Sequence, residues 1–475
     1  MAVFTIVLIA WGALAFGAVY PWGYGTLAAA ALVAGLVALA GGNRWRRVSP
    51  LVAAAFGLLV LSMLVQQIPL PRALLERISP ETAALLGQRD IAFGSVAAAW
   101  HPLTIDPVRT WTGLCLVVSL GVLWLGLTAA LTDRMVLRLA GGIVVVGSVM
   151  AVTGIAGLAS HSGKVLGFWQ PLSHAAPFGP FINRNHYAGW MLMTVPFGLG
   201  YLISRLARSA GGPPRSWRAR IAWLSTRDAN LTIMLGLGLM LMALTVLVSL
   251  SRSGIVCLVL GLIGFGWFAS RRRAKRSGRA LLIACVMVAA TGCVYWADLD
   301  RIGSRFAEFQ SDRSGGRMGI WRDAAAVARK FPVAGTGFDT FGIAMLAYQT
   351  TDPDEHFEEA HNDYLQIAAE GGLLVGLPAL GLLIVSAWEI RRRFRERGDS
   401  AAVYWVRAGA VAGLLTIALQ EGTEFSLQMP GNAALFCVLA AMAVRPRGSR
   451  LPVPGTGNPG TSQSLSHPRR ARDQH

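Results

Sequence analysis

Residues 358–372 read EEAHNDYLQIAAEGG and run directly into the apolar stretch LLVGLPALGLLIVSAWEI at residues 373–390. The apolar stretch has the length of a helix that crosses a lipid bilayer. The preceding stretch is a dense polar cluster at the edge of that span. Ionisable groups are costly to hold there and are functional candidates for that reason. This junction therefore predicts a membrane fold and a place on it where chemistry occurs.

Apolar stretches of similar length recur along the whole 475-residue chain. Hydrophobic residues make up 54% of the sequence and charged residues only 14%, so the composition predicts a polytopic membrane protein. We expect an all-α fold of about twelve transmembrane helices, with one long, partly helical loop between spans nine and ten. The predicted spans cover residues 2–20, 25–41, 51–68, 111–131, 136–158, 185–204, 230–249, 254–270, 280–297, 373–390, 404–420 and 430–444.

Successive loops alternate in charge. One face receives the basic groups within residues 44–47, 134–138, 205–220, 271–276 and 391–395, together with the basic tail. The positive-inside rule makes this face cytoplasmic, so both termini are predicted to be cytoplasmic. In a soluble protein the net charge of +18 would suggest nucleic acid, but here topology explains it. We expect no nucleic-acid partner.

The chain divides into three predicted regions. Residues 1–180 carry the first five spans with their outward loops. Residues 181–444 carry the remaining spans and the long outward loop at 298–372, in which residues 318–331 are expected to be helical. Amphipathic pieces such as 73–77 in an earlier outward loop predict interfacial helices. Residues 445–475 are rich in Pro, Gly, Ser and Arg and predict a disordered basic cytoplasmic tail.

Arginines at the outward ends of spans are the first candidates for substrate binding. Arg184 opens the sixth span, Arg252 lies in a very short turn between two spans, and Arg317 and Arg322 lie in the long loop. The planar guanidinium group binds phosphate through paired, charge-assisted hydrogen bonds. The alternative for each is that it reaches out to lipid phosphate or pairs with an acid.

His361 is the candidate for proton transfer, because a histidine titrates near neutrality and can accept a proton from an attacking hydroxyl. Asn362 and Asp363 are typical helix-start residues, with Gly371-Gly372 as the stop, so His361 should lie at a helix N-terminus with Asn362 as its support. A surface histidine at the lipid interface is the alternative.

Other polar residues on the outward side have weaker patterns. His186 is either a ligand-binding residue or an anchor of its span. The residues Asp352, Asp354, Glu355, Glu358 and Glu359 fit no defined cation loop and favour a solvated acidic turn. Glu424 could orient a base or pair with an arginine.

Four motifs stand out within residues 181–372. They are Phe181-x-Asn183-Arg184-Asn185-His186, Ser251-Arg252-Ser253-Gly254, Gly335-Thr336-Gly337-Phe338, and Ala360-His361-Asn362-Asp363-Tyr364-Leu365-Gln366 followed by Glu370 and Gly372. Together they resemble the O-antigen ligase and O-antigen polymerase superfamily. The resemblance covers roughly residues 180–440, and the last motif is the most specific. The other motifs are weak alone but occur in the expected order.

The resemblance implies an inverting, metal-independent glycosyl transfer without a cofactor, at the periplasmic face of the bacterial inner membrane. The donor would be a glycan on undecaprenyl pyrophosphate, and the acceptor another glycan or the lipid A-core. His361 matches the histidine that acts as base or orients the acceptor, and Arg252 matches the arginine that holds the pyrophosphate. The predicted substrate-binding residues are Arg252, Arg184, Asn185, His186, Arg317 and Asn362, and no metal ligand is expected.

Two questions stay open at this point. The choice between ligase and polymerase is nearly balanced, with the stretch at 181–187 slightly favouring a repeat-unit or exopolysaccharide polymerase; transfer to a protein is a minor third possibility. A transporter of a small anion or polysaccharide precursor is the alternative from another class. Transporters place their ionisable residues near the membrane midplane, often in paired halves, whereas these motifs gather at the outer ends of spans.

Overall fold

The computed structural model describes residues 1–41, 43–95, 100–160, 163–171, 176–208, 218, 222, 224–271, 316–352, 354–396 and 399–446. These ranges are helical almost throughout, which confirms the predicted all-α fold. The helices are α1 (Ala2–Leu14), α2 (Pro21–Ala40), α3 (Pro50–Val65), α4 (Arg72–Ile78), α5 (Pro80–Arg89), α6 (Ile91–Ser95), α7 (Pro107–Ala130), α8 (Asp133–Ser160), α9 (Arg184–Arg208), α10 (Arg227–Val248), α11 (Arg252–Arg271), α12 (Arg317–Lys330), α13 (Phe341–Tyr348), α14 (Asp363–Arg395), α15 (Ala401–Gln420) and α16 (Pro430–Val444). Short 3-10 turns occur at Phe16–Ala18, Asn43–Arg47 and Ser426–Gln428, and the two-residue strands β1 (Leu70–Pro71) and β2 (Trp100–His101) pair antiparallel.

Eight of the described helices are long and apolar enough to cross a membrane, namely α2, α7, α8, α9, α10, α11, α14 and α15. Helices α1, α3 and α16 are apolar but shorter. These eleven helices correspond in position to eleven of the predicted spans. The predicted span at 280–297, the first part of the predicted long loop at 298–315 and nearly all of the predicted tail lie outside the described residues.

Helix α9 lies at the centre of the bundle, and every residue from His186 to Gly200 is buried. Its most extensive contact is with α15. A Cβ atom on Gly200 would lie 2.4 Å from the carbonyl oxygen of Trp405, and one on Gly409 would lie 2.7 Å from that of Phe197. Small residues of this kind let the backbones of membrane helices approach closely. The close packing holds the start of α9 beside the turn that follows α15.

A layer of short helices packs on the end of the bundle where α9 begins. Apolar side chains of α4, α5 and α6 contact Leu103 and Ala334, and Gln66 donates hydrogen bonds to the carbonyl oxygens of Ala334 and Glu370 at 2.7 and 2.9 Å. The helices predicted at 73–77 and 318–331 are observed as α4 and α12. The layer therefore fixes the loop that contains Ala334 to the membrane helices.

Helices α12, α13 and α14 form a second small core, which contains Ala324, Phe331 and Phe341. Asn362 caps α14 by accepting a hydrogen bond from the Leu365 amide at 3.1 Å, as the sequence predicts. The expected stop at Gly371-Gly372 is observed as a break: Gly372 has φ 52° and ψ −152°, and helical structure resumes and continues to Arg395. The polar first part of α14 is thus offset from its apolar second part.

The opposite end of the bundle contains buried ion pairs. Arg407 donates to Asp399 at 2.9 Å and to the carbonyl oxygen of Arg445 at 3.1 Å, and Arg445 donates to Asp133 at 2.7 Å. Both guanidinium groups are buried, so they need these partners to offset the loss of water. The pairs connect the start of α8, the start of α15 and the end of α16. Helices α9, α11 and α14 also end here in arginine, so the predicted segregation of charge is present in the fold.

Candidate active site

The short turn at residues 421–429, between α15 and α16, is the centre of a polar cluster at the α9 end of the bundle. Glu424 in this turn is fully buried. Its carboxylate accepts a hydrogen bond from Ser253 Oγ at 3.2 Å and forms an ion pair with Arg317, and its Oε2 lies 3.6 Å from His361 Nδ1. Residues from α11, α12 and the segment before α14 therefore converge on one carboxylate.

The backbone around His361 is held by several hydrogen bonds. His361 has a positive φ of 49°, which is uncommon for a residue other than glycine. Its carbonyl oxygen accepts from Trp321 Nε1 at 3.3 Å. On the next residue, Asn362 Nδ2 donates to the carbonyl oxygen of Gly422 at 3.0 Å. The surroundings thus fix an unfavourable conformation, as is common where a side chain must be positioned for function.

Phe425 lies between the two histidines of the cluster. Its ring centroid is 4.8 Å from that of His361 and 4.5 Å from that of His186, with edge-on geometry in both cases. His186 is buried in the first turn of α9, and its backbone carbonyl accepts from Asn432 at 3.0 Å. The carbonyl of the preceding residue, Asn185, accepts from the side chains of Gln420 and Ser426. The Asn-Arg-Asn-His motif is therefore docked on the 421–429 turn.

Three of the four arginines singled out in the sequence are the first residues of their helices. Arg184 begins α9, Arg252 begins α11 and Arg317 begins α12. Ser253, next to Arg252, contacts Glu424, and His186, in the turn after Arg184, contacts Phe425. A helix N-terminus attracts anions through its free amide groups and its dipole. The starts of these helices therefore supply positive potential around the cluster.

The two glutamates of the 421–429 turn have different charge states. Burial alone would raise the pKa of Glu424, but the neighbouring His361 ring and the Arg317 charge outweigh it and lower the pKa below its usual value. For Glu421, burial and the nearby Asp363 carboxylate both act in one direction and raise the pKa well above the usual value. Glu424 is thus the ionised acid of the turn, and Glu421 favours the protonated form.

A second buried carboxylate, Glu370 in the first part of α14, organises the Gly-Thr-Gly-Phe motif. It accepts hydrogen bonds from the amides of Asp339 and Phe341, both at 3.0 Å. Gly335 has φ 67°, and a Cβ atom there would lie 2.1 Å from the Glu370 carbonyl oxygen. Only glycine fits such a conformation at such a distance. The motif therefore supports the first part of α14.

The structure brings His361 and Arg317 to Glu424 directly and Asn362 to Gly422 in the same turn. Arg184, Asn185, His186 and Arg252 lie at the adjoining helix starts. Arg322 is exposed on α12, away from these contacts. In the acidic turn Asp354, Glu355 and Glu358 are exposed, as predicted, but Glu359 is half-buried and accepts a hydrogen bond from Gln366. Within the described ranges, no group of three or more His, Cys, Asp or Glu side chains could hold a metal ion.

Sequence reasoning left the role of Glu424 open and did not identify Ser253, Trp321 or Phe425. Ser253 belongs to the Ser251-Arg252-Ser253-Gly254 motif, so this motif could have identified it as a residue of the site. Phe425 directly follows Glu424 in a turn between two spans, but nothing in the local pattern indicates that two distant histidines meet there.

A bundle of apolar helices with a cluster of arginine, histidine and buried carboxylate at one end defines a multi-pass membrane protein with a candidate active site at the membrane surface. The family model described as O-antigen ligase matches residues 237–380. Residues 237–380 thus match an O-antigen ligase domain, which supports the predicted resemblance to the O-antigen ligase and polymerase superfamily. No curated protein matches the chain.

The match supports glycosyl transfer of the O-antigen ligase or polymerase type, acting on lipid-linked glycans. Ser253, Arg317, His361 and Asn362 lie inside the matched residues. Arg184, His186 and Glu424 lie outside them, although their segments contact the same cluster.

Proposed function

We propose that the protein transfers or polymerises a glycan carried on undecaprenyl pyrophosphate, at the periplasmic face of the bacterial inner membrane. The observation that carries the proposal is the convergence of His361 and Arg317 on the ionised, fully buried carboxylate of Glu424. Such a cluster combines a group that can move a proton with a group that can bind phosphate. Both are needed for transfer from a pyrophosphate donor.

The arginines are proposed to bind the pyrophosphate. Arg252 and Arg184 stand at helix N-termini, where the backbone also favours anions. Arg317 contacts Glu424 through one nitrogen, and a guanidinium group has five N–H donors, so others are available for phosphate oxygens. These cations neutralise the charge that grows on the leaving group, which is why we propose a reaction that needs neither metal nor cofactor.

His361 is proposed as the general base. Its Nδ1 faces Glu424 Oε2 at 3.6 Å, slightly longer than a hydrogen bond. Catalytic contacts are often long before substrate binds. A proton on Nδ1 would point at the carboxylate and leave Nε2 as the acceptor for the proton of the attacking hydroxyl. Glu424 would orient the ring and stabilise the positive charge that develops on it.

The proposed step is a single displacement. Nε2 of His361 takes the proton of an acceptor hydroxyl while the hydroxyl oxygen forms a bond to the anomeric carbon of the donor glycan. The bond from that carbon to the pyrophosphate oxygen breaks, and its electron pair leaves with undecaprenyl pyrophosphate. Because attack and departure occur on opposite sides of the carbon, the anomeric configuration inverts.

The acceptor is a second lipid-linked glycan in a polymerase or the lipid A-core in a ligase. The topology proposed for this reaction follows from the charge segregation of the fold. With the basic helix ends in the cytoplasm, the cluster around Glu424 faces the periplasm and both termini are cytoplasmic.

The test uses purified protein in liposomes with undecaprenyl-pyrophosphate glycan, with and without lipid A-core. Longer lipid-linked chains would identify a polymerase, and glycan on lipid A-core a ligase. In whichever of these two reactions the wild-type protein catalyses, His361→Ala should lower the rate by about 10²–10⁴-fold, the usual contribution of a positioned base. The matched control is His356→Ala, because His356 is an exposed histidine five residues earlier in the same loop.

Two results would contradict the proposal. If the wild-type protein transfers no glycan to either acceptor, the proposed glycan-transfer activity is wrong. Full activity of His361→Ala, or equal losses in the His361 and His356 variants, would remove the assignment of the base.

A further inference from the structure

Five aromatic side chains form an aromatic cluster beside the active site, at the turn between α1 and α2 and in the segment before α9. They are Phe16, Tyr20, Trp22, Phe168 and Trp169. The Phe16 and Trp169 rings stack with centroids 5.5 Å apart, and Trp169 Nε1 donates to the Tyr20 hydroxyl at 2.9 Å. Phe168 and Trp22 are 66% and 49% exposed, so one side of the cluster is open.

A cavity of about 210 Å³ connects this cluster to the active site. Phe16 lines one part of it, and His186 and Phe425 line another. Phe425 is the residue whose ring also contacts His361. At about 30 Å³ per water, the cavity has the volume of roughly seven waters, which is on the order of one sugar ring. It thus adjoins the reacting groups at one end and the aromatic cluster at the other.

One residue that lines the cavity has a buried polar atom without a protein partner among the described residues. His186 is 5% exposed, and its Nε2 atom is buried without a hydrogen-bond partner among the described residues. A buried polar atom in this state is costly unless something else satisfies it. A ligand hydroxyl in the cavity would do so after a small rotation of the His186 ring.

The backbone that presents Phe16 is strained. Phe16, Gly17 and Ala18 all have positive φ angles, of 58°, 74° and 59°. This conformation is rare for residues with a side chain. It turns the chain sharply between α1 and α2 and places the Phe16 ring between the aromatic cluster and the cavity. Strain that is kept in this way is typical of ligand-binding segments.

From these observations we infer that the aromatic cluster and the cavity form a subsite for the acceptor glycan, with one sugar ring in the cavity and the next stacked on the exposed rings. The inference rests on the proposed function. Sugar rings present both apolar C–H faces and hydroxyl groups. The exposed aromatic rings can stack against the C–H faces, and His186 Nε2 can form a hydrogen bond with a hydroxyl group.

The acceptor is the better occupant because the arginine-headed helix N-termini serve the pyrophosphate of the donor. A sugar in the cavity would contact Phe425, whose ring also contacts His361. The hydroxyl of the acceptor must reach His361, so a sugar in this position belongs to the acceptor. Anchoring of the chain at the lipid interface, a common role of exposed aromatic residues, does not account for the cavity or for the unsatisfied nitrogen.

The experiment measures kcat and the acceptor KM of purified protein in liposomes at saturating donor. The acceptor probe is the oligosaccharide released from the donor by mild acid. Phe168→Ala and Trp169→Ala should each raise the acceptor KM roughly 3- to 10-fold, the range for one stacked ring, and leave kcat within about twofold. Trp169→Phe, which keeps a ring, should restore most of the KM. His186→Phe, which keeps a ring but removes Nε2, should also raise the KM.

The matched control is Trp45→Ala, because Trp45 is an exposed tryptophan at the opposite end of the bundle. It should leave the acceptor KM unchanged. If the aromatic-cluster variants lower membrane insertion or thermal stability while the acceptor KM stays at the wild-type value, the cluster is a membrane anchor and the inference is wrong. If wild-type protein transfers no glycan, the proposed function fails first, so the two failures are distinguishable.

Discussion

Replacement of Glu424 by glutamine tests the central contact of the site, because it removes the charge and keeps the volume. The carboxylate lies 3.6 Å from His361 Nδ1. At an effective dielectric constant of about 20, a full positive charge on the ring would be stabilised by about 4.6 kcal/mol at this distance. Arg317 shares the carboxylate, so we expect roughly half of this, about 2.3 kcal/mol, which corresponds to a roughly 50-fold loss of rate.

The loss should appear in kcat and leave the donor KM nearly unchanged, because the ring becomes charged only as the reaction proceeds. The assay is glycan transfer by purified Glu424→Gln in liposomes, with thermal unfolding measured in parallel. Arg317 stays about one-third exposed and keeps access to water, so the variant should remain folded.

The matched control is Glu421→Gln, three residues away in the same turn. Burial and Asp363 raise the pKa of Glu421, so a neutral side chain should replace it with little effect. The reasoning is refuted if Glu424→Gln retains full kcat, or if Glu421→Gln loses as much activity as Glu424→Gln.

The remaining predictions concern three other positions. Asn362→Ala removes the helix cap and the hydrogen bond to Gly422, so it should cost about 1 kcal/mol of stability and lower kcat. Asn362→Asp keeps the cap and should recover the stability but not the kcat. Equal kcat in wild type and both variants would show that the hydrogen bond to Gly422 does not position His361. Arg252→Lys should lose most of its transfer activity, because a point charge cannot replace the planar fork of arginine, and a variant with wild-type kcat/KM for the donor would rule out paired phosphate contacts. Burial raises the pKa of Asp339 from 3.8 to about 6, so its contribution to stability is full below about pH 4 and is lost as pH rises through about 6. Asp339→Asn should therefore match wild type at pH 4 and be more stable by about 3 kcal/mol at pH 8. Identical unfolding curves for the two proteins at both pH values would contradict this.

The membrane fold was largely predictable because it depends on local properties of the sequence. Apolar stretches mark the spans, and the positions of arginines mark the ends of the bundle. The start of α14 was also predictable, because Asn362 caps it through an amide only three residues away.

The assembly of the active site was less predictable, because its contacts join residues that are far apart in the chain. His361 and Glu424 are 63 residues apart, and they meet because α14 begins at the side of the bundle where α15 ends. Phe425 reaches His186 only because glycines let α9 and α15 pack closely. The individual motifs therefore indicated which residues matter, whereas their common partner depended on helix packing.

The late position of Glu424 in the chain has a consequence for biosynthesis. The starts of α9, α11 and α12 and the segment with His361 all precede the 421–429 turn in the chain and are synthesised before it. Until α15 and α16 have inserted as a pair, Arg317 and His361 have no carboxylate, and the first turn of α9 lacks the residues on which it docks. The candidate active site is therefore complete only once α15 and α16 are in place, so we expect a chain truncated before α15 to show none of the proposed transfer activity.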